Sequence, residues 1–223
     1  MRVGRTGPGA DGSPAASAPA VIADIAAARP DAVTTALRND YVRVLRFDLA
    51  PGEALPGHRG GRRVVYALDD YQVAWTENGD ALGQGRWSEG DVHVHGPGVH
   101  AIENTGENTA SFVIVERLDA ALPEAPVPTG AEALPAGARG LHAGEHFGVL
   151  NVELAPGEAQ QDHPGGWRAI YALTGSTIEW RQDGNVSERS WRAGQAHWHA
   201  PGIHAAANTG ETTARWLVVE IRD

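Results

Sequence analysis

The chain has 223 residues, a formal net charge of −10 and 42% hydrophobic residues, which is ordinary for a globular protein. Its acidic balance, without a basic stripe, argues against nucleic-acid binding, and no apolar run is long enough to predict a membrane span. Because the chain has no cysteine, disulfides, thiolate metal sites, iron–sulfur clusters and a cysteine nucleophile are excluded.

The amino-terminal segment differs in composition from the rest of the chain. Residues 1–20 are rich in Gly, Ala, Pro and Ser and lack the pattern of a secretory signal. Residues 21–28 favour a short helix that stops near Pro30. We interpret residues 1–30 as a disordered or short-helical tail, and we expect a cytoplasmic protein.

From residue 32 onward, short runs rich in Val, Ile, Leu, Tyr and Trp are separated by Gly, Pro, Asn and Asp turns. The first series of runs predicts strands over residues 41–49, 63–68, 71–76, 91–95, 99–103 and 110–118. The second series predicts strands over residues 147–155, 167–173, 177–181, 186–191, 195–199, 203–207 and 213–221. Between them, residues 120–140 are rich in Pro, Gly and Ala and form a predicted linker. This spacing predicts an all-β barrel or sandwich over residues 31–119 and another over residues 141–223.

The second series repeats the first. Residues 87–116 align with residues 191–220 without a gap, and 16 of the 30 positions are identical. Upstream, the sequence Leu-Ala-Pro-Gly-Glu at residues 49–53 recurs at residues 154–158, and His58 and His163 follow the two glycines at the same distance. One unit has been duplicated, and the chain therefore contains two domains.

The repeated residues form two motifs in each copy. The first motif is Gly52 with His58, and Gly157 with His163. The second motif has a glycine, a Pro-Gly pair, a histidine and an asparagine: Gly90, Pro97, Gly98, His100 and Asn104, then Gly194, Pro201, Gly202, His204 and Asn208. Over most of the chain, this pattern resembles the cupin superfamily. The resemblance implies a bicupin, with two tandem double-stranded β-helix (jelly-roll) barrels.

The resemblance also implies a metal site in each barrel, which in cupins uses three histidines and a glutamate. The motifs retain His58 and His100 in the first copy and His163 and His204 in the second. The other ligand places hold glycine, valine, alanine or isoleucine: Gly60, Val64 and Val65, then Gly165, Ala169 and Ile170. With His95 and His199 as replacement ligands, such a site would hold a divalent metal, namely iron, manganese, nickel or zinc.

The sequence leaves open where these replacement ligands point. His93 and His95 are two residues apart on a predicted strand and share one face, as do His197 and His199. If that face is the barrel interior, each barrel holds three or four histidines around a cavity. The alternating residues, however, are the apolar set, which a half-buried strand turns to the core. On that interpretation the histidines face outward or toward the other half.

Several further residues are candidates for binding or catalysis. Glu116 and Glu220 lie in terminal apolar strands and are candidate general bases; each is either a solvated strand-end residue or a buried partner of an arginine or histidine. Arg62 and Arg63 either reach a substrate carboxylate from the mouth of the first barrel or are exposed without a specific role. Five of the seven tryptophans lie in the second copy, so the two cavities should differ: Trp167, Trp180, Trp191, Trp198 and Trp216.

Three functions are compatible with these patterns. The first is a metal-dependent enzyme acting on a small organic molecule, dioxygenase- or isomerase-like, in which the metal polarises bound oxygen atoms. The second is a non-catalytic small-molecule-binding or structural bicupin that has lost the metal ligands, and the departures from the first motif favour it. The third is an assembly or sensor protein that uses its outer sheet. We expect a small-molecule ligand, no nucleic-acid or membrane partner, and a monomer or homodimer.

Overall fold

The structure is a computed structural model that describes residues 21–126 and 134–222. Most of the predicted tail and part of the predicted linker therefore lie outside the described residues. The first copy has a four-residue helix, α1 (Ile25–Ala28), and nine strands: β1 (Val33–Arg38), β2 (Val42–Leu49), β3 (Ala54–Gly60), β4 (Arg63–Ala67), β5 (Tyr71–Glu77), β6 (Asp80–Trp87), β7 (Val92–His95), β8 (Gly98–Asn104) and β9 (Ala110–Arg117). The second copy has nine strands: β10 (Ala138–Ala143), β11 (Phe147–Leu154), β12 (His163–Gly165), β13 (Arg168–Ala172), β14 (Ser176–Gln182), β15 (Asn185–Trp191), β16 (Ala196–His199), β17 (Gly202–Asn208) and β18 (Ala214–Ile221).

Each copy folds into two antiparallel sheets with the same strand order. The first copy has a five-stranded sheet, β1-β2-β9-β4-β7, and a four-stranded sheet, β3-β8-β5-β6. The second copy has β10-β11-β18-β13-β16 and β12-β17-β14-β15. Two such sheets closed around one interior form a jelly-roll barrel. The predicted fold, two tandem jelly-roll barrels, is confirmed; the division into residues 1–30, 31–119, 120–140 and 141–223 stays a prediction.

Five strands were missed because their sequences lack the expected pattern. The strand β6 is an exposed edge that contains two glycines, and β3 contains Pro56 and two glycines. The strands β1, β10 and β12 also lie at sheet edges, and β10 begins at Ala138, inside the segment predicted as a linker. The predicted helix over residues 21–28 is shorter than expected, because Asp24 caps its first turn by accepting hydrogen bonds from the amides of Ala26 and Ala27. Within the described residues, no helix is long and apolar enough to cross a membrane.

The five-stranded sheets are buried on both faces. Their inner faces line the two barrel cores, one around Phe47 and Phe112 and the other around Trp180 and Trp216. Their outer faces pack against each other in a third apolar cluster, which includes Val42, Val44, Val64, Tyr66, Val113 and Val115 from the first copy and Phe147, Val149, Ala169, Tyr171, Leu217 and Val219 from the second. The two barrels therefore share an apolar interface made by their larger sheets.

The repeated turn motifs meet at one end of each barrel. The backbone amide of Gly52 donates to the carbonyl of Asn104 at 2.9 Å, and Gly52 has a φ of 75°, which glycine adopts without strain. The side-chain amide of Asn104 donates to the carbonyls of Leu49 and Asn108, both at 2.8 Å, and its side-chain oxygen accepts from Gly106. Asn208 makes the corresponding bonds to Leu154, Thr212 and Gly210. Both asparagines thus shape turns.

Replacing Asn104 or Asn208 with alanine is expected to lower the free energy of unfolding by about 3 kcal/mol in each case, because the three hydrogen bonds of a buried side chain are lost. Urea denaturation monitored by circular dichroism measures the change. Thr209→Ala, at the exposed neighbouring position, is the control and should change stability by less than about 1 kcal/mol. A loss of equal size in Thr209→Ala would contradict the assigned role of the asparagines.

Candidate functional site

The paired histidines face the barrel interiors. His93 and His95 on β7 line the first interior, whereas Val92 packs into the interface between the copies. On β16, His199 and His197 lie opposite Arg168 and Ile170, two residues that line the second interior. The interpretation that turned these histidines outward is therefore wrong. Of the apolar residues on these strands, Val92, Ala196 and Trp198 do pack against a core, but that core lies between the two copies, and Val94 is exposed.

Aromatic rings fill the first barrel interior. Nδ1 of His93 and Nε2 of His95 share a hydrogen bond at 2.6 Å, and Trp87 stacks on His93 with ring centroids 3.8 Å apart. His100 lies farther from its neighbours, with ring centroids 6.2 Å from His95 and 6.4 Å from His58. The cavity that remains has a volume of about 50 Å³. Such a volume has room for a few water molecules and no organic ligand.

A buried ion pair and the amino-terminal segment pack against this first barrel. The carboxylate of Glu116 accepts hydrogen bonds from the guanidinium of Arg43 and from the backbone amide of Gly61. Next to this pair, Ile22 forms an isolated bridge with His58 and packs against the barrel core. Glu116 is therefore the buried partner of an arginine, which was one of its two predicted roles.

The second barrel, in contrast, contains a large cavity of about 620 Å³. Three large side chains of the first barrel are replaced here by smaller ones, since Gly148, Val152 and Ser176 stand where the first copy has Arg43, Phe47 and Tyr71. Most of the wall is apolar and aromatic: Leu150, Val152, Ile170, Trp180, Trp191, Trp216 and Val218. The prediction that the two cavities differ agrees with these volumes.

Glu220 lies at the rim of the second cavity, where Gly148 takes the place of Arg43 on one side of it and Arg168 is its cross-strand neighbour on the other. Its carboxylate accepts hydrogen bonds from the guanidinium of Arg222 at 2.9 Å and from the backbone amide of Gly166 at 3.0 Å. Its side chain is 31% exposed. Glu220 is thus partly exposed, and it is hydrogen-bonded to Arg222, whose side chain lies at the protein surface.

Two histidines of the motifs meet at the wall of this second cavity. The ring centroids of His163 and His204 lie 4.1 Å apart. Nδ1 of His163 lies 2.9 Å from the carbonyl of Gln161, so this nitrogen must carry the proton and Nε2 keeps its lone pair. His58 has the same arrangement with the carbonyl of Pro56, at 3.0 Å.

A buried arginine that the sequence did not single out also lines the second cavity. Arg168 is 2% exposed, and its Nη1 donates to the carbonyls of Gly166 at 2.8 Å and Ala200 at 3.2 Å. Its Nε and Nη2 have no hydrogen-bond partner within the described residues. The repeat could have identified it, because Arg168 aligns with Arg63, which was a candidate in the first copy.

Burial sets the protonation of these groups. Burial, with a contribution from the positive charge of Arg168, lowers the pKa of His199 to about 3 and that of His204 to about 2. In the first barrel, burial lowers the pKa of His95 and that of His100 to about 3. Burial also lowers the pKa of Arg168 to about 10, which leaves it charged at neutral pH. The cavity of the second barrel therefore combines neutral imidazoles with one buried cation.

The side chains present do not fit a metal ion. Within the described residues, no three His, Cys, Asp or Glu side chains come together in an arrangement that could hold one. The candidate carboxylates are engaged elsewhere, Glu116 by Arg43 and Glu220 by Arg222. The guanidinium of Arg168 beside His204 would in addition repel a cation. The predicted ligands His58, His95 and His100, and likewise His163, His199 and His204, are brought into one barrel each but not into a coordination sphere.

Comparisons with known proteins support the fold. No protein-family model matches the sequence, and no curated protein matches it. Among solved structures, AerE from Microcystis aeruginosa is 14% identical, with 86% of this chain and 98% of that chain covered and a TM-score of 0.60. A cupin 2 conserved barrel domain protein from Leptotrichia buccalis is 14% identical, with coverage of 85% and 88% and a TM-score of 0.50. Oxalate decarboxylase from Bacillus subtilis is 14% identical, with coverage of 82% and 69% and a TM-score of 0.62. These likenesses confirm the cupin fold that the sequence motifs predicted.

Lowering the pH from 7 to 5 is expected to reduce the free energy of unfolding. The unfolded chain binds protons at its histidines near a pKa of 6.5, whereas His199 and His204 stay neutral in the folded barrel down to a pKa of about 3 and about 2. Because the unfolded state binds more protons in this window, stability falls as the pH falls, by about 2 kcal/mol in total between pH 7 and pH 5 for each such histidine. Urea denaturation at pH 7, 6 and 5 measures the slope.

The variant His199→Leu should show a smaller pH slope than the wild-type protein, because one buried titrating group is removed. Val186→Thr is the control at an exposed position that does not titrate and should keep the wild-type slope. A stability that is constant between pH 7 and pH 5 would show that the buried histidines do not titrate as their burial requires.

Proposed function

We propose that the protein is a small-molecule-binding bicupin in which the second barrel holds the ligand and the first barrel is structural. The observation that carries this proposal is the difference between the two interiors, about 620 Å³ against about 50 Å³. Ligand cavities in proteins commonly have volumes of several hundred Å³ and apolar walls with a few polar groups. The second barrel has this character.

The wall composition favours a ligand with an apolar body. Three indole rings line the cavity, those of Trp180, Trp191 and Trp216. Aromatic side chains provide large apolar contact surfaces, and aliphatic residues such as Ile170 and Val218 cover much of the remaining wall. Burial of apolar ligand surface against this wall would supply most of the binding free energy.

The first barrel contributes to this function by supporting the second. Its interior is filled by rings and by the Arg43–Glu116 pair, and its outer sheet face covers that of the second barrel. This division of roles is the alternative that the departures from the cupin ligand motif favoured. The cytoplasmic location and the choice between monomer and homodimer stay predictions.

A second candidate function is a metal-dependent enzyme that acts on a small organic molecule. The close pair of His163 and His204, with an unprotonated Nε2 on His163, favours it. The donor set weighs against it, because zinc and iron sites usually have at least three protein ligands and the guanidinium of Arg168 lies beside this pair. We therefore place ligand binding first.

Neutral apolar molecules are expected to bind the second barrel. Isothermal titration calorimetry with 1-naphthaleneacetamide should show saturable binding at one site per chain. The double variant Gly148→Arg/Val152→Phe, which installs the corresponding residues of the first barrel, should weaken this binding roughly tenfold or more, because the cavity is filled. Val186→Phe is the control, since Val186 is exposed and lies outside the cavity. Equal binding by the double variant would place the ligand elsewhere.

Metal loading separates the two candidate functions. After incubation with iron, manganese, nickel and zinc followed by gel filtration, mass spectrometry should find well below one metal ion per chain. The variant His58→Ala/His163→Ala should have the same metal content as the wild-type protein. One ion per barrel that is lost in this variant would instead establish these histidines as ligands and favour the metal-dependent enzyme.

A further inference from the structure

We infer that the ligand of the second barrel is a monocarboxylate with an apolar body, and that Arg168 binds its carboxylate. This inference rests on the proposed function and names the chemical class of its ligand. It is carried by four buried hydrogen-bond donors without a partner, which belong to three residues of the cavity wall.

The first observation concerns the guanidinium of Arg168, in which two nitrogens, Nε and Nη2, have no hydrogen-bond partner within the described residues. Nη1 of Arg168 is occupied by two backbone carbonyls, which fix the position of the group. Nε and Nη2 are buried without a partner, and Arg168 has no ion pair within the described residues. Buried charged groups are normally paired, because an unpaired one costs free energy. An anionic ligand would complete this site.

Another arginine of this chain, Arg46, uses the same two nitrogens, Nε and Nη2, to bind a carboxylate. Nε of Arg46 donates to one carboxylate oxygen of Asp48 at 2.7 Å, and Nη2 donates to the other at 2.8 Å. This bidentate arrangement uses the two nitrogens that are free in Arg168. The parallel N–H bonds match the two oxygens of a carboxylate.

Two further free donors lie in the wall of the cavity. Nε1 of Trp180 and Nε1 of Trp216 are buried and have no acceptor within the described residues. An indole N–H and a guanidinium can only donate hydrogen bonds. Acceptor oxygens on the ligand would satisfy such donors, whereas an ammonium group would not, so the unpaired atoms of Arg168, Trp180 and Trp216 favour an acceptor.

The other charged groups at the cavity favour a single negative charge on the ligand. Glu220 at the rim is paired with Arg222, so these two charges compensate each other. The three histidines of the wall, His142, His163 and His204, complete the set of titratable groups; of these, burial lowers the pKa of His163 and His204. Arg168 is thus the cation among the described wall residues that makes no ion pair, although the negative charges of Glu220 and Asp183 act on it. The remaining wall is apolar, and a second carboxylate would be left there without a cation.

The first barrel provides a matched control for this role. Arg63 occupies the same position as Arg168 in the repeat and is also buried. Its cavity of about 50 Å³ cannot hold an organic acid. A change at Arg63 therefore removes the same kind of side chain from the same strand position without touching the ligand.

The test uses matched acids and amides, which differ in charge and hardly in shape. Calorimetric titrations at pH 7.5 compare hexanoate with hexanamide, phenylacetate with phenylacetamide, and 1-naphthaleneacetate with 1-naphthaleneacetamide. In at least one pair the acid should bind roughly tenfold or more tightly than the amide, because charge-assisted bidentate hydrogen bonds are about twice as strong as neutral ones. Arg168→Met should abolish this preference while amide binding is kept, and Arg63→Met should leave the preference unchanged.

The outcomes separate this inference from the proposed function. Equal affinity for acid and amide in every pair would overturn the inference and leave the proposed function in place, whereas no binding of any probe would overturn both. A preference for the acid that persists in Arg168→Met would also overturn the inference. If Arg168→Met shows no cooperative unfolding, Arg168→Lys replaces it, since lysine keeps the charge but lacks the bidentate fork, and the preference should then fall.

Discussion

The burial of each five-stranded sheet on both faces is the constraint on which the rest of the structure depends. The outer faces must be apolar, because Val44, Val64 and their neighbours pack against Val149 and Val219 of the other copy. In a strand, alternate side chains point to opposite faces. The positions between these apolar residues therefore belong to the barrel interior, and there the chain places its polar side chains. The histidine pairs, the two arginines and the two glutamates all occupy such positions.

This arrangement lets the two interiors diverge while the barrels stay alike. The turns that hold the strands together are duplicated nearly atom for atom, as the hydrogen bonds of Asn104 and Asn208 show. The residues that form these turns and the shared interface are different from the residues whose side chains fill the barrel interior. Replacement of Arg43 and Phe47 by Gly148 and Val152 could therefore open the second cavity without a change of topology. In the first barrel, stacked rings and the Arg43–Glu116 ion pair fill the interior. In the second barrel, the cavity wall retains hydrogen-bond donors without a partner.

The sequence was sufficient for the fold and only partly sufficient for the site. The long strands β2, β9 and β18 were predicted within one or two residues. Burial on both faces makes the middle of β9 and β18 an apolar run, whereas β2 mixes apolar residues with Arg43, Arg46 and Asp48. Edge strands such as β6 carry no such pattern. The direction of His95 and His199 could not be read from periodicity, since the apolar Val92 and Trp198 on their strands pack between the copies while the histidines face the barrel interiors. The cavity depends on volume differences between residues on separate strands, and the role of Arg168 depends on bonds that its own Nη1 makes to distant carbonyls.

The apolar interface between the copies has a consequence for how the protein responds to dilution. In a pair of separate single-barrel chains, the same two faces would meet only by diffusion, and the complex would dissociate as its concentration fell. Here both faces belong to one polypeptide, and the covalent connection keeps each at an effective concentration in the millimolar range relative to the other, as is typical of short tethers. The closed barrel therefore stays on the outer sheet of the open barrel at any protein concentration. Because the two barrels belong to one chain, their association does not depend on how much protein the cell makes.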